Sequence, residues 1–502
     1  MTHNIAKSSL AVTFFAGLVA GVSFLNQMVI ARYFGASAEL DAYLTAGALP
    51  STFSGILLAG IGYTLIPILS KAPADQTDRA ITGCFLLTLI LGLGIGIAGG
   101  ISGRFILRWT APYLPAEKYL LSATLQLFFW PVAASSVLTS FLVGLSHFRK
   151  RFALAAASNA IPYVSAILCA ITLSSRWGIF SIAVGLLAGC ILQTAVLWWG
   201  APDKHSMRPL EFTPFSGQFS RAMFPVLFTL LPYTLPPMID AFWSSALPHG
   251  SLSYLGYANR IVIGLTSVSV LGVAVVIFPF LSADAAAGEK GQMRARIRAT
   301  VKFVFLVLVP AAVLLGVLRA PILRLVFQRG SFDEAATAGL AAVLPWYLIG
   351  MVGMASMNVL SRSFYALSDF KTPALLGAGF LAFYFVSSGI LSSRFLHVGI
   401  GITYAAYWTL QSGLAAFWLS RRVGGIWTWD DLKFLGKVVT VSVTVGLILY
   451  EANLYISWDV TWVFRTLCLG SAGVGLLSLI SYLVFSVEER RWVTGMVQRG
   501  LR

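Results

Sequence analysis

Residues 81–101 read ITGCFLLTLILGLGIGIAGGI, with no charged side chain in the stretch. A helix needs about 20 mostly apolar residues to cross the hydrocarbon core of a bilayer. The run is continuous rather than alternating, which marks a helix and not a barrel strand. It contains Gly94, Gly96 and Gly99 in GxGxxG spacing, but no strand precedes them, so they read as small residues for close helix packing and not as a dinucleotide site. Comparable runs recur on both sides, at 9–31, 40–69, 119–145, 153–173 and 178–199. They continue at 219–247, 252–282, 299–319, 335–366, 372–391 and 398–419, and a last pair covers 433–455 and 463–486. The chain therefore reads as an all-α polytopic membrane protein of about 14 transmembrane helices.

Composition supports this. Of 502 residues, 58% are hydrophobic and 11% charged, with a mean hydropathy of +0.82. A soluble domain carries roughly 25% charged residues, so soluble enzymes, disordered chains and secreted disulfide scaffolds are excluded. The balance of 35 Lys+Arg against 19 Asp+Glu sits in short loops, where topology and anionic headgroups account for it better than nucleic acid does. Cys84, Cys169, Cys190 and Cys468 all lie within apolar runs and read as packing residues.

With the N-terminus in the cytoplasm, about 24 basic residues fall inside and about 10 outside, with Arg260 within a span. Arg149–Arg151, Lys290 to Arg298, Arg421–Arg422 and Arg490–Arg491 mark the inner loops. Both termini are then cytoplasmic. The first run is too long for a signal-peptide core and reads as a retained helix.

An internal repeat is visible. IPILSKAPA (66–74) and FPFLSADAA (278–286) align Pro67 with Pro279, Leu69 with Leu281 and Ser70 with Ser282. Met28–Ala31 weakly echoes Met238–Ala241. An offset of six helices keeps the orientation, giving two six-helix lobes in a parallel, pseudo-twofold repeat, as in transporters with a central path. The expected divisions are 1–200 and 201–420 for the lobes, and 421–502 for two further helices and a basic tail.

Ionisable groups at membrane depth usually face a cavity or a partner. Asp240 lies in LPYTLPPMIDAFWSSALP (231–248), where Pro232, Pro236 and Pro237 interrupt the helix. An acid beside broken backbone suits Na⁺ or H⁺. Arg260, in YANRIVIG, offers a fork for phosphate. The plainer alternative is that Asp240 and Arg260 pair with each other. Asn26, Gln27, Asn358 and Arg362 are further candidates to line a polar path, with interhelical hydrogen bonding as the competing role. No Ser/His/Asp or HExxH arrangement appears, so the chain reads as a non-enzyme.

At this point the residues carry a resemblance. VIARYFGASAELDAYLTAGALP (29–50) and SYLGYANRIVIGLTSVSVLGVAVVIFPFLSADAA (253–286) are similar to MurJ/MviN proteins of the multidrug/oligosaccharidyl-lipid/polysaccharide exporter superfamily. So is the segment from RAPILRLVFQRGSFD (319–333) to SFYALSDFKTP (363–373), and the likeness runs over essentially the whole chain. The resemblance implies a two-lobed helical protein with a cationic cavity that flips lipid II, an undecaprenyl-diphosphate-linked disaccharide-pentapeptide, to the outer leaflet. The last two helices would form a groove for the lipid tail.

Carried over position by position, Arg260 matches the family's essential eighth-helix arginine, with Asn259 where an acid usually precedes it. Arg32 and Asp41 match the ARxFG and DA(F/Y) positions. Cavity arginines of the first two helices fall instead at Ala20, Asn26, Ser54 and Gly55, and an acid at Ala59. Asp240 matches an ion-site acid, with Ser387 and Ser388 at the eleventh-helix ligand positions.

The expected function is a flippase of the bacterial cytoplasmic membrane working by alternating access on lipid II or a related undecaprenyl-diphosphate glycan. Arg260, Asn26, Gln27, Asn358 and Arg32 would contact substrate, and Asp240, Asp41 and Ser388 would serve ion coupling or charge pairing. No cofactor is expected beyond coupling to Na⁺, H⁺ or the membrane potential. Expected partners are the lipid-linked saccharide, membrane lipids and envelope-synthesis glycosyltransferases or polymerases, with no nucleic acid. The alternatives are a non-transporting membrane scaffold for envelope synthesis and a cation-coupled drug exporter of the same superfamily.

Overall fold

A computed structural model describes residues 2–201, 211–267, 272–455, 462–486 and 489. Among these the regular structure is helical and no strand occurs, as the unbroken apolar runs require. The helices are α1 (Thr2–Phe34), α2 (Ala38–Lys71), α3 (Thr77–Thr110), α4 (Ala116–Phe148), α5 (Phe152–Ser158), α6 (Ile161–Trp177), α7 (Phe180–Gly200), α8 (Pro214–Thr234), α9 (Pro236–Ser244) and α10 (Ser251–Thr266). They continue with α11 (Gly272–Ala286), α12 (Lys290–Val317), α13 (Arg319–Val326), α14 (Glu334–Ala366), α15 (Lys371–Val423), α16 (Trp429–Tyr455) and α17 (Trp462–Val484). Nine helical stretches among the described residues are long and apolar enough to cross a membrane. The other four runs of the sequence count fall on α1, on α8 and α9, on α10 and α11, and on α17.

One of the nine, α15, is 53 residues long, far beyond what a single crossing needs. Leu396 breaks it, with φ 53° and ψ −138°, and so divides the runs 372–391 and 398–419. The turn between α6 and α7 has the same backbone: Gly178 stands at φ 52° and ψ −135°. The flanking sequences match as well, Leu-Ser-Ser-Arg-Trp-Gly at 173–178 and Leu-Ser-Ser-Arg-Phe-Leu at 391–396. These turns join the fifth to the sixth run and the eleventh to the twelfth, six helices apart. The repeat therefore extends to a third place in the sequence, where the backbone shows it too.

The chain divides into two compact units. The first holds 1–260, 329–336 and 377–400. One apolar cluster in it is built on α2, α3, α4, α7 and α8, with Ile61, Leu65, Ile81, Cys84, Phe141, Leu197 and Phe219 buried. Glycines let α3 lie close on α4, since a Cβ on Gly99 would sit 2.1 Å from the Trp130 ring and one on Gly96 3.1 Å from Ala134 Cβ. The GxGxxG glycines Gly96 and Gly99 thus serve helix contact.

The second unit holds 261–328, 337–376 and 401–502. Here Thr428 and Asp431 form a reciprocal cap at the start of α16: Thr428 N–H donates to Asp431 at 2.9 Å, and Asp431 N–H donates to Thr428 Oγ1 at 3.3 Å. Asp431 is almost fully buried and pairs with Arg298 at 3.2 Å and with Lys302, both on α12. One carboxylate thereby caps α16 and ties it to α12. The FYALSDFKTP phrase has a similar local cause. Asp369 accepts from Thr372 N at 3.0 Å and Thr372 Oγ1 at 2.7 Å and pairs with Arg422 at 3.2 Å, starting α15.

Candidate translocation site

Asp41 lies in the first turn of α2, whose N-cap Ser37 accepts from Leu40 N at 3.2 Å. Its carboxylate is buried and reaches a different helix. Oδ2 accepts from Gly250 N at 2.7 Å, and Oδ1 from Ser253 N at 2.9 Å and Ser253 Oγ at 2.7 Å. Lys118 Nζ stands 3.4 Å from Oδ2. Those N–H groups begin α10, where helical donors lack internal partners and the dipole favours negative charge. α10 has no acid in its own first turn, and Asp41 supplies one from α2.

The loop between α1 and α2 is fixed by a second set of contacts. Tyr257 Oη on α10 donates to Gly35 O at 2.9 Å, and its ring meets Phe332 edge-on at 5.4 Å. Ser331 N donates to Arg32 O at 2.8 Å, and Ser331 Oγ donates to Tyr33 O at 3.0 Å. Gly35 and Gly330 both have φ +60°, and each leaves room for the other strand of chain. A Cβ on Gly35 would lie 2.2 Å from Ser331 O, and one on Gly330 2.3 Å from Arg32 O. ARYFG and FQRGSF, quoted separately from the sequence, are thus two halves of one interlock.

Arg260 lies nine residues beyond the start of α10, about 13 Å along the helix. Its side chain is exposed. Among the described residues of the first unit, no carboxylate forms an ion pair with it. The alternative of an Asp240–Arg260 ion pair does not hold. Instead Tyr384 Oη donates to Asp240 Oδ1 at 2.5 Å, with both residues buried.

The prolines act as the sequence indicates: α8 stops at Thr234, and α9 restarts with Pro236 and Pro237 at its N-terminus. Trp243 Nε1 donates to Phe385 O at 2.9 Å, and Gly389 gives the Trp243 ring its space, packing α9 against 384–389. Ser388 is fully buried, and its Oγ has no hydrogen-bond partner among the described residues.

The remaining candidates are more scattered. Asn26, on α1, is buried with Oδ1 unpartnered among the described residues, and Gln27 is half-buried. Arg32 is exposed, its guanidinium 5.9 Å from the centre of its neighbour Tyr33's ring. Asn358 belongs to the second unit and donates to Met354 O of its own helix at 3.0 Å. Sequence reading missed Tyr384, Lys118 and Ser253. Of these, only Ser253 carried a signal, standing two residues after the Pro-His-Gly-Ser helix start (248–251), which lacks an acid of its own.

A family model described as "Lipid II flippase MurJ" matches residues 30–469. The chain belongs to the MurJ family. Its similarity to individual members is low in identity but long in extent. It is 22% identical over 473 residues to the lipid II flippase MurJ of Burkholderia cenocepacia, covering 91% of each chain. It is 27% identical over 534 residues to a probable lipid II flippase MurJ of Synechocystis sp., covering 96% of this chain and 95% of that one. A solved structure of lipid II flippase MurJ in an inward closed conformation superposes with a TM-score of 0.80 at 20% identity, over 95% of this chain and 99% of the other. An inward-facing multidrug resistance MATE transporter shares the fold more distantly, with a TM-score of 0.66 at 14% identity, over 83% of this chain and 94% of its own. The polytopic helical fold expected from the sequence is thus the fold of this family and its superfamily.

Proposed function

We propose that this chain carries lipid II across the bacterial cytoplasmic membrane by alternating access. Family membership over 30–469 carries the reading, and Arg260 supplies its chemistry. A guanidinium on a membrane helix, with no ion-paired carboxylate among the described residues of its unit, is a ready two-pronged donor for a diphosphate. Asn26, Gln27 and Asn358 offer hydrogen bonds to the sugar-peptide head group, and Arg32 adds charge at the outer end of α1. The basic loops support a cytoplasmic position for both termini. The Asp41 cap on α10 and the Gly35–Gly330 interlock then lie on the periplasmic side and must part for release. Envelope glycosyltransferases or polymerases are the consumers of the flipped substrate.

Coupling is assigned to Asp240. Its surroundings suit a proton better than a sodium ion, because Tyr384 directs a hydrogen, not a lone pair, at the carboxylate and the nearby eleventh-helix positions are serines. Uptake of a proton by Asp240 would release Tyr384. Flipping should then follow the proton gradient and not the sodium gradient, and Asp240→Asn should remove that dependence.

The test of the whole reading is replacement of the resident lipid II flippase in a depleted bacterial host, with membrane insertion checked by blot. Growth is expected, and Arg260→Ala is expected to slow flipping in liposomes by at least about tenfold. Lysis with the protein present in the membrane would reject lipid II as the cargo.

A further inference from the structure

Where α3, α4 and α7 meet in the first unit, a groove of about 460 Å³ is lined by Leu93, Ser135, Leu138, Ile191, Thr194 and Trp198. Gly92 opens it: a Cβ there would sit 3.1 Å from Ala134 O. The wall hydroxyls are occupied among themselves. Thr194 Oγ1 lies 2.9 Å from Ser135 Oγ and 2.8 Å from Thr139 Oγ1, and also reaches Cys190 O at 2.9 Å. The groove therefore offers an occupant mainly hydrocarbon contacts. At one end stand Trp198 and the exposed Trp199, indoles of the kind that settle at a membrane–water interface. Directly beyond them, Arg151 Nη1 donates to Gly200 O at 2.6 Å, pinning the turn Arg149–Lys150–Arg151 to the end of α7. Lys150 holds φ +59° in that turn, and Lys150 and Arg151 are both exposed.

An apolar slot, an indole pair and a cationic turn follow one another in the order of a phospholipid's acyl chain, interfacial region and anionic head group. We propose that this groove binds one anionic phospholipid of the cytoplasmic leaflet, its acyl chain between α3, α4 and α7 and its phosphate on Lys150 and Arg151. The volume suits one acyl chain and not a polyprenyl tail several times longer. The proposal stands apart from the flippase reading, since none of these residues is placed on the substrate path.

The full chain, purified in mild detergent, would be offered phosphatidylglycerol and phosphatidylethanolamine with identical chains and analysed by native mass spectrometry. One retained phosphatidylglycerol, favoured severalfold, is expected. Ala195→Trp fills the groove from its wall, and Ile191→Trp fills it from an exposed rim position that leaves the core untouched. Both should lose the retained lipid while eluting as folded protein. Lys150→Gln with Arg151→Gln should keep a lipid but erase the head-group preference. The proposal is overturned if Ile191→Trp retains the lipid, if the wild-type chain shows no preference, or if the double variant keeps it. Displacement of phosphatidylglycerol by equimolar undecaprenyl phosphate would also overturn it.

Discussion

A buried carboxylate must be matched by donors, and at Asp41 the match is made by α10 and Lys118. Asp41 stood out in the sequence by its charge and family position, but its partners lie 77 to 212 residues away, beyond the reach of local pattern. Asp41→Asn replaces one acceptor by an NH₂ that cannot receive Gly250 or Lys118. The expected loss is about 1–2 kcal/mol, read as a lower midpoint in thermal unfolding. Gly35→Ala and Gly330→Ala should each cost at least about 1–2 kcal/mol, because both add a left-handed penalty to a backbone clash. Arg260 was legible from sequence because a charge inside an apolar run stands out. Tyr384 was not, since a tyrosine in a membrane helix reads as packing. If the guanidinium fork matters, Arg260→Lys should restore only part of the flipping lost in Arg260→Ala.

Among the elements, the long apolar runs were easy to find because the bilayer fixes their length. Their turns were harder. Gly178 announces its turn, whereas Leu396 takes the same backbone without a glycine to mark it. A leucine in that region carries strain of order 1–3 kcal/mol. Leu396→Gly should therefore raise stability by about 1 kcal/mol, and Gly178→Leu should lower it, both measurable in the same unfolding assay. At α16, Asp431→Ala removes a cap and leaves Lys302 with its charge unmatched. A loss of about 2–4 kcal/mol is expected, with increased hydrogen exchange at the start of α16.

Over the whole chain, composition decided the solvent, and the lysine–arginine bias gave an expected orientation. They carry no information on which side chains meet across units of sequence, which is why the interlock emerged only in three dimensions. The turn at Asp369 adds a pH expectation. Burial works to raise that carboxyl's pKa, but hydrogen bonds from Thr372 and the Arg422 charge outweigh it and hold it below the usual carboxylate range. Its contribution is therefore complete above that range and is lost as the pH falls through the lowered value. Hydrogen exchange at the start of α15 should stay flat near neutrality and rise only in acid.

Gly35 and Gly330 also set an order of events during synthesis. At about 5–20 residues per second, Gly330 leaves the ribosome roughly 15–60 s after Gly35. Until then the loop between α1 and α2, extracytoplasmic in the proposed orientation, lacks the chain segment that holds its carbonyls, so the latch cannot close until about two thirds of the chain has been made. A chain arrested before residue 328 should insert its early helices and yet leave that loop open to protease from outside. Extending the arrest point past residue 336 by more than the length held in the ribosomal exit tunnel should protect it.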